Sequence, residues 1–551
     1  MALRPPAEEE EHHLLSNVSF SAGNSLLSTY DDTASEYELE DEPRDHEKSS
    51  KVPAIRSRRW RLPWRRNPRR KMGSTAAYFS MAPGRRRRGW AVRAAQCLML
   101  LPYLVGILVL VTGLFFPSYS HPPKQYLELR SRIEGSDKSG RGNPNNEKVF
   151  IATSLYDHEG ELLGGKWGEN LRELVEVLGE ENVFLSIYEN DPDDGAEAAL
   201  LDYEAGMAAD NAIVSEHLDL AALPHVTTPA GASRLKRIAF LAEVRNRALL
   251  PLTDPKSVAS KTKFDKLIYV NDVFFNPSDA ANLLFSTNLD ETTNRTEYRA
   301  ACAVDFINPF KFYDTFATRD AEGSQMGVPF YPWFTKMGGA TSRNDVLAQK
   351  DAVRVKSCWG GMVAFEAKWF QPQLHTPSAA TPAKSKTAVT QPANDTTGLR
   401  FRAETDTYWD ASECCLIHAD LASLSSPSPA SEDTGIYTNP YIRVAYTPAT
   451  LRYLPLTRRF ERLYPWIHHL INLLANRPGY NPRRLQVEGE KARDVVWSKE
   501  KEVFESVERV AGAGGFCGGR MMEYLKEGKE GEGDEGGKWG FEKVPPEVLE
   551  R

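Results

Sequence analysis

Cysteine is scarce in this sequence: six occur among 551 residues, none in paired CxxC spacing. That excludes zinc ribbons and fingers, whose ligands come in such pairs. No internal repeat is evident, which excludes a solenoid or propeller. A strong charge of one sign is also missing, since 68 Lys and Arg stand against 75 Asp and Glu. The balance hides a marked asymmetry. Residues 8–11 and 31–45 are acidic and poor in large apolar side chains, the composition of a disordered segment. Residues 56–88 are intensely basic and include the run Arg85-Arg86-Arg87-Arg88. No nucleic-acid-binding fold accompanies that stretch, so nucleic acid is not an expected partner.

Long uncharged apolar runs are absent, with one exception. Residues 94–116, AAQCLMLLPYLVGILVLVTGLFF, carry no charge. As a helix they cover about 35 Å, enough to cross a bilayer. The run is too long, and too far from Met1, for a cleaved signal peptide. Arginines crowd its N-terminal flank and one lysine lies on the other, so the positive-inside rule places residues 1–93 in the cytosol. The reading is a single-pass type II membrane protein, with anionic lipid beside the basic stretch. Two sequons follow the span, at Asn294 and Asn394, and both are candidate glycosylation sites. Of the cysteines beyond the span, an odd number remains after any pairing, and an oxidising lumen favours disulfides among the rest.

Residues 117–147 are polar and read as a stem. From residue 148 strands and helices alternate. Strands are expected at 149–152, 183–188 and 267–270, and helices at 163–178, 196–209 and 233–250. That alternation predicts an α/β domain with a mostly parallel central sheet. Further strands are expected at 301–306, 359–365 and 441–446, and an amphipathic helix at 456–475. Residues 311–337 are aromatic-rich and expected to line or cover a site. The expected domain spans 148–480. Within it, residues 371–399, rich in Pro, Ser, Thr and Ala, are expected to be a flexible insertion. Residues 481–551 read as a tail, largely disordered from 512.

The chemistry concentrates where the 267–270 strand ends, at Asn271-Asp272. Substrates bind such sheets at the carboxyl ends of their strands. A carboxylate there can hold a divalent cation, Mn²⁺ or Mg²⁺, against a diphosphate. Arg245 and Asn246 follow Glu243 on a predicted helix, and the Arg245 fork suits phosphate. Asp305 ends the apolar Cys302-Ala-Val. Trp359-Gly360-Gly361 allows close backbone approach to a sugar, with the indole as a stacking face. Read as extended, residues 414–420 put Cys414, Leu416, His418 and Asp420 on one face. Glu404 and Asp406 are further carboxylates able to face a sugar.

Seven segments in order carry a resemblance. They are KVFIATSLYD (148–157), EVRNRAL (243–249), YVNDVFF (269–275), CAVDF (302–306), KSCWGGMVAF (356–365), RFRAE (400–404) and SECCLIHADL (412–421). Together they resemble fungal glycosyltransferase family 69, the capsule-associated α-1,3-mannosyltransferases. The resemblance implies a GT-A-like nucleotide-sugar-binding fold and a Golgi enzyme moving mannose from GDP-mannose onto a cell-wall or capsular glycan. An α-linked donor and an α-mannosyl product imply retention. The catalytic candidates are then Asp272, Asp305 and Glu413. Donor contacts would come from Arg245, Asn246, Asn271, Trp359, Gly360 and Gly361. GT-A enzymes usually carry Asp-x-Asp, where this chain has Asn271-Asp272-Val273, so a late histidine, His418, is the expected second metal ligand beside Asp272. Two alternatives stay open: a non-catalytic membrane protein supporting polysaccharide assembly or export, and a transferase using another nucleotide sugar, such as a xylose donor.

Overall fold

The computed structural model describes residues 85–229, 231–372, 398–424, 433–526 and 539–546. The acidic and most of the basic N-terminal stretch, nearly all of the 371–399 insertion and the Asn394 sequon lie outside them. Helix α1, Arg85–Phe115, contains the apolar run except its last residue, Phe116; its segment Arg93–Phe115 is long and apolar enough to cross a membrane and only 11% buried.

The core is a ten-stranded sheet. Its principal strands are β1 (Val149–Leu155), β2 (Val183–Asn190), β3 (Asp210–Glu216), β4 (Lys266–Val270), β5 (Ala300–Asn308), β6 (Val353–Ser357), β7 (Met362–Glu366) and β8 (Ile436–Ala445). The spatial order is β6-β8-β5-β7-β4-β1-β2-β3. Parallel pairing joins β4, β1, β2 and β3, and also β8 to β5. Strand β7 runs against both β4 and β5, and β6 against β8. Most strands therefore point one way, and β4, β5 and β8 end on the same edge.

Side chains alternate across the pleat, so each strand feeds two cores. Leu267 and Tyr269 of β4 enter one apolar cluster, Ile268 and Val270 the other. A strand buried on both faces needs an unbroken apolar run, and LIYV (267–270) supplies it. Helices α2 (Lys166–Leu178), α3 (Arg237–Leu249), α4 (Glu413–Leu424) and α5 (Tyr464–Leu474) complete the parts that matter below.

Several expectations need correction. The helix expected from 233 begins at Arg237, because Ser233–Leu235 pairs as a strand with His225–Thr227. The stem contains a helix, Lys124–Glu134, whose Tyr126, Leu129 and Ile133 join the core. Residues 414–420 are not extended: they lie in α4, where the Ser412 hydroxyl accepts from the Cys414 N–H at 3.2 Å. The C-terminal tail is ordered through residue 526. Lys491–Ser498 and Val503–Val510 form a hairpin, and a Cys415–Cys517 disulfide ties this region to α4. A second disulfide joins Cys302 to Cys358; Cys414 remains a buried thiol.

Candidate active site

The chain leaves β4 at Val270 and turns. Four hydrogen bonds fix the turn at Asn271. Its N–H donates to Gly361 O at 2.8 Å, and its carbonyl accepts from Trp167 Nε1 of α2 at 3.0 Å. The side-chain Oδ1 accepts from Arg245 Nη1 at 3.1 Å and Trp359 Nε1 at 3.2 Å. Farther on, the Phe274 N–H donates to Ala445 O at 2.7 Å, so the turn is stitched to the end of β8. Asp272 sits between these anchors and is exposed.

Arg245 belongs to α3 and is buried. Its Nε donates to Glu413 Oε1 of α4 at 2.9 Å. The guanidinium lies 4.6 Å from the Trp359 ring centre and 5.3 Å from that of Tyr269, close enough for cation–π attraction. Burial alone pulls its pKa down, but Cys414 and Glu413 outweigh that and the net shift is upward. The charge is therefore permanent and compensated inside the protein.

A second group of acids lies at the end of β5. Asp305 is fully buried; its Oδ1 accepts from the Asp314 N–H at 3.1 Å and its Oδ2 from the Tyr446 hydroxyl at 3.2 Å. Burial, then the nearby Asp314 carboxylate, pushes its pKa up to about 8. Asp314 is raised as well, chiefly by burial, although the Ala317 and Gly360 N–H groups donate to it. Burial, then the nearby Asp305 and Asp272 carboxylates, holds the Tyr446 pKa well above the usual phenol value.

The glycines of the Trp359 loop are conformationally required. Gly360 and Gly361 adopt φ of 60° and 66°. A Cβ on Gly360 would stand 2.0 Å from Ala303 O, and one on Gly361 would meet Val273 at 2.6 Å. The close approach expected toward a sugar is thus made to the protein's own β5 and turn.

Not every candidate converges. Arg245, Asn271, Glu413 and Trp359 share one hub, with Asp272 at its rim. Trp359 is buried against Tyr269 and Phe401 and offers no open stacking face. Asn246 spends both halves of its amide on the Phe401 backbone, at 2.9 and 2.8 Å. Glu404 and Asp406 are engaged by arginines: Arg402 for Glu404, Arg483 and Arg509 for Asp406. His418 is five residues from Glu413 on α4, about 140° around the helix. It is fully buried, with Nδ1 2.7 Å from Cys414 O and its ring against Phe365. Burial lowers its pKa to about 4. The one cluster of potential metal donors among the described residues joins His418 to Cys302 and Cys358, whose thiols are spent on their disulfide. The second-ligand role expected of His418 finds no support in these surroundings. Asp314, Trp167 and Tyr446 were not read from the sequence. Asp314 falls within the aromatic-rich stretch expected to line a site, the one available hint. Asn294 occupies an exposed turn with φ of 54°.

A large sheet of mostly co-directed strands, with helices on its faces, defines an α/β fold with a mostly parallel central sheet. Residues 148–420 match the family described as Cryptococcal mannosyltransferase 1. That match covers 273 of the 551 residues, just under half of the chain, and is to a family of mannosyltransferases. No curated protein matches the chain. Among solved structures, the mannosyltransferase PcManGT from Pyrobaculum calidifontis, in complex with GDP-Man and Mn²⁺, is 13% identical, with 65% of this chain and 73% of that one covered and a TM-score of 0.29. The mannosyl-3-phosphoglycerate synthase from Rubrobacter xylanophilus is 14% identical, with 72% and 91% covered and a TM-score of 0.25.

Proposed function

We propose that the protein transfers mannose from GDP-mannose to a glycan acceptor with retention, forming an α-1,3 linkage in cell-wall or capsular polysaccharide. The match of residues 148–420 to a mannosyltransferase family supports the sugar. One observation carries the site: Asp272 is exposed at the end of β4, on a turn whose neighbours are locked. Its carboxylate would hold Mn²⁺ or Mg²⁺, ions that keep several non-protein ligands and so accept one protein carboxylate plus phosphate oxygens and water. When bound, the cation neutralises charge on the departing diphosphate.

Around it the chain's own groups position. Arg245 and Trp359 clamp Asn271 and thereby aim Asp272 outward. Glu413 compensates Arg245. Asp305 braces Tyr446 and Asp314 the Gly360 backbone near the end of β5, where an acceptor hydroxyl would lie. Asp305 and Glu413 are thus assigned positioning rather than catalytic roles, and Asn246 and His418 structural ones.

We place the enzyme in the Golgi membrane, single-pass and type II, with the domain lumenal; the arginine-rich flank of α1 supports this orientation. A non-catalytic reading draws on Asn271, whose Oδ1 is occupied and cannot act as a second metal ligand. Release of GDP from GDP-mannose by the full-length protein, with and without Mn²⁺ and against a donor panel including a xylose nucleotide, separates the readings. Turnover that needs the cation is the expected result. Neither binding nor turnover of any donor would overturn it.

A further inference from the structure

Helix α5 is amphipathic in the wrong sense for a soluble protein. Its inward residues are polar: His468 is 0% and Asn472 4% exposed. His468 Nδ1 lies 3.0 Å from Arg343 Nη1, and Arg343 Nη2 donates to Pro465 O at 3.1 Å, so a polar network seats the helix. Its outward residues are Trp466, Ile467, Leu470, Leu473 and Leu474, with Trp466 81% and Leu474 79% exposed. Spacing of i, i+1, i+4, i+7 and i+8 puts them on one stripe. An exposed contiguous apolar stripe marks an interaction surface.

What covers it is indicated by its neighbour. The domain-side end of α1 docks on the residues just before α5: Arg459 Nη1 donates to Gly113 O at 3.1 Å, and the Ser118 N–H to Arg458 O at 3.2 Å. A Cβ on Gly113 would meet the Phe460 ring at 2.6 Å, so glycine permits this contact. The apolar stripe is therefore continuous with the point where the membrane-spanning segment reaches the domain. Its charge fits too. From residue 447 to 487 the only acid is Glu461, which is buried and paired with Arg443. Arg452, Arg459 and Arg462 are exposed, and Lys336 Nζ lies 5.6 Å over the Trp466 ring. Basic residues flanking an apolar stripe with a tryptophan are what an interfacial helix presents to lipid headgroups.

We infer that α5 lies in the interface of the same bilayer that α1 spans, giving the domain a second membrane contact that fixes the orientation of its active-site edge. The inference rests on the membrane reading of α1. The test uses the full-length protein in nanodiscs of phosphatidylcholine and phosphatidylserine doped with a diazirine phosphatidylcholine, irradiated and mapped by mass spectrometry. Lipid adducts are expected on both 93–115 and 464–474. Adducts on 93–115 with none on 464–474 would overturn the inference while leaving the anchor intact. Adducts on neither would remove both. In a parallel sample treated with a bifunctional photo-cross-linker, links from 464–474 to a second copy or to another segment of the chain, with no lipid adducts there, would overturn it in favour of a protein contact. In the variant Leu470→Glu/Leu473→Glu, both positions being exposed, lipid adducts on 464–474 should be lost, with those on 93–115 and the melting temperature in detergent unchanged. Undiminished adducts in that variant would also sink it.

Discussion

Asn271 and Asp272 are adjacent in sequence and opposite in circumstance. The first belongs to a buried polar hub in which Arg245, Glu413, Trp359 and Trp167 satisfy one another. The second stands on the exposed rim of that hub. A site that must exchange ligands cannot be held by them, so rigidity is supplied by a neighbour that never leaves the protein. The same division recurs near the end of β5, where buried Asp305 accepts from the Tyr446 hydroxyl and Asp314 from the Gly360 N–H. On the proposed reading, the tightly bound residues are the scaffold and the exposed Asp272 is the residue that meets the substrate.

Substitutions can break that contrast. The largest effect is expected from Glu413→Ala, which strands the Arg245 charge without its buried partner. A loss of about 3–5 kcal/mol is expected, read from chemical denaturation. Unchanged stability would mean the hub is not a structural unit. Asp272→Asn should do the reverse: the melting temperature holds while GDP release from GDP-mannose falls about 100-fold, because a carboxylate aimed at developing charge is lost. Wild-type turnover there would remove Asp272 from the site. A smaller effect is expected from Trp359→Phe, which deletes the indole hydrogen bond to Asn271 and should cost about 1 kcal/mol with a modest loss of turnover.

The last test concerns a slope. Asp305 has its pKa raised from 3.8 to about 8 in the folded protein. The folded state thus binds that proton more tightly than the unfolded chain, and stability declines as pH rises between those values. Asp305→Asn should flatten the decline in melting temperature from pH 5 to 8. An identical slope in variant and wild type would show that Asp305 is not held protonated.

Much of the sheet was legible because strands buried on both faces leave unbroken apolar runs, as in LIYV (267–270). The exposed position of Asp272 was legible for the same reason, since it lies just past the end of such a run. Short apolar runs do not separate strand from helix, and so CCLIH was read as extended although Ser412 caps a helix there. The hub was not legible at all. Its partners lie 26 to 168 residues apart, and nothing local distinguishes an arginine held by a carboxylate from one offered to phosphate. The outward apolar face of α5 shows as periodicity, but periodicity does not say which face is inside.

The C-terminal region carries a practical consequence for where the enzyme ends. Arg319 is buried, and its guanidinium donates to Phe516 O at 2.9 Å and Cys517 O at 2.5 Å. Asp410 and Ala411, inside the family match, pair with Gly519 and Gly518 beyond it. A recombinant domain cut at 480 would expose an unpaired Cys415, strip Arg319 of two acceptors and leave a strand edge bare. The minimal folding unit therefore extends about a hundred residues past the stretch by which the family is recognised.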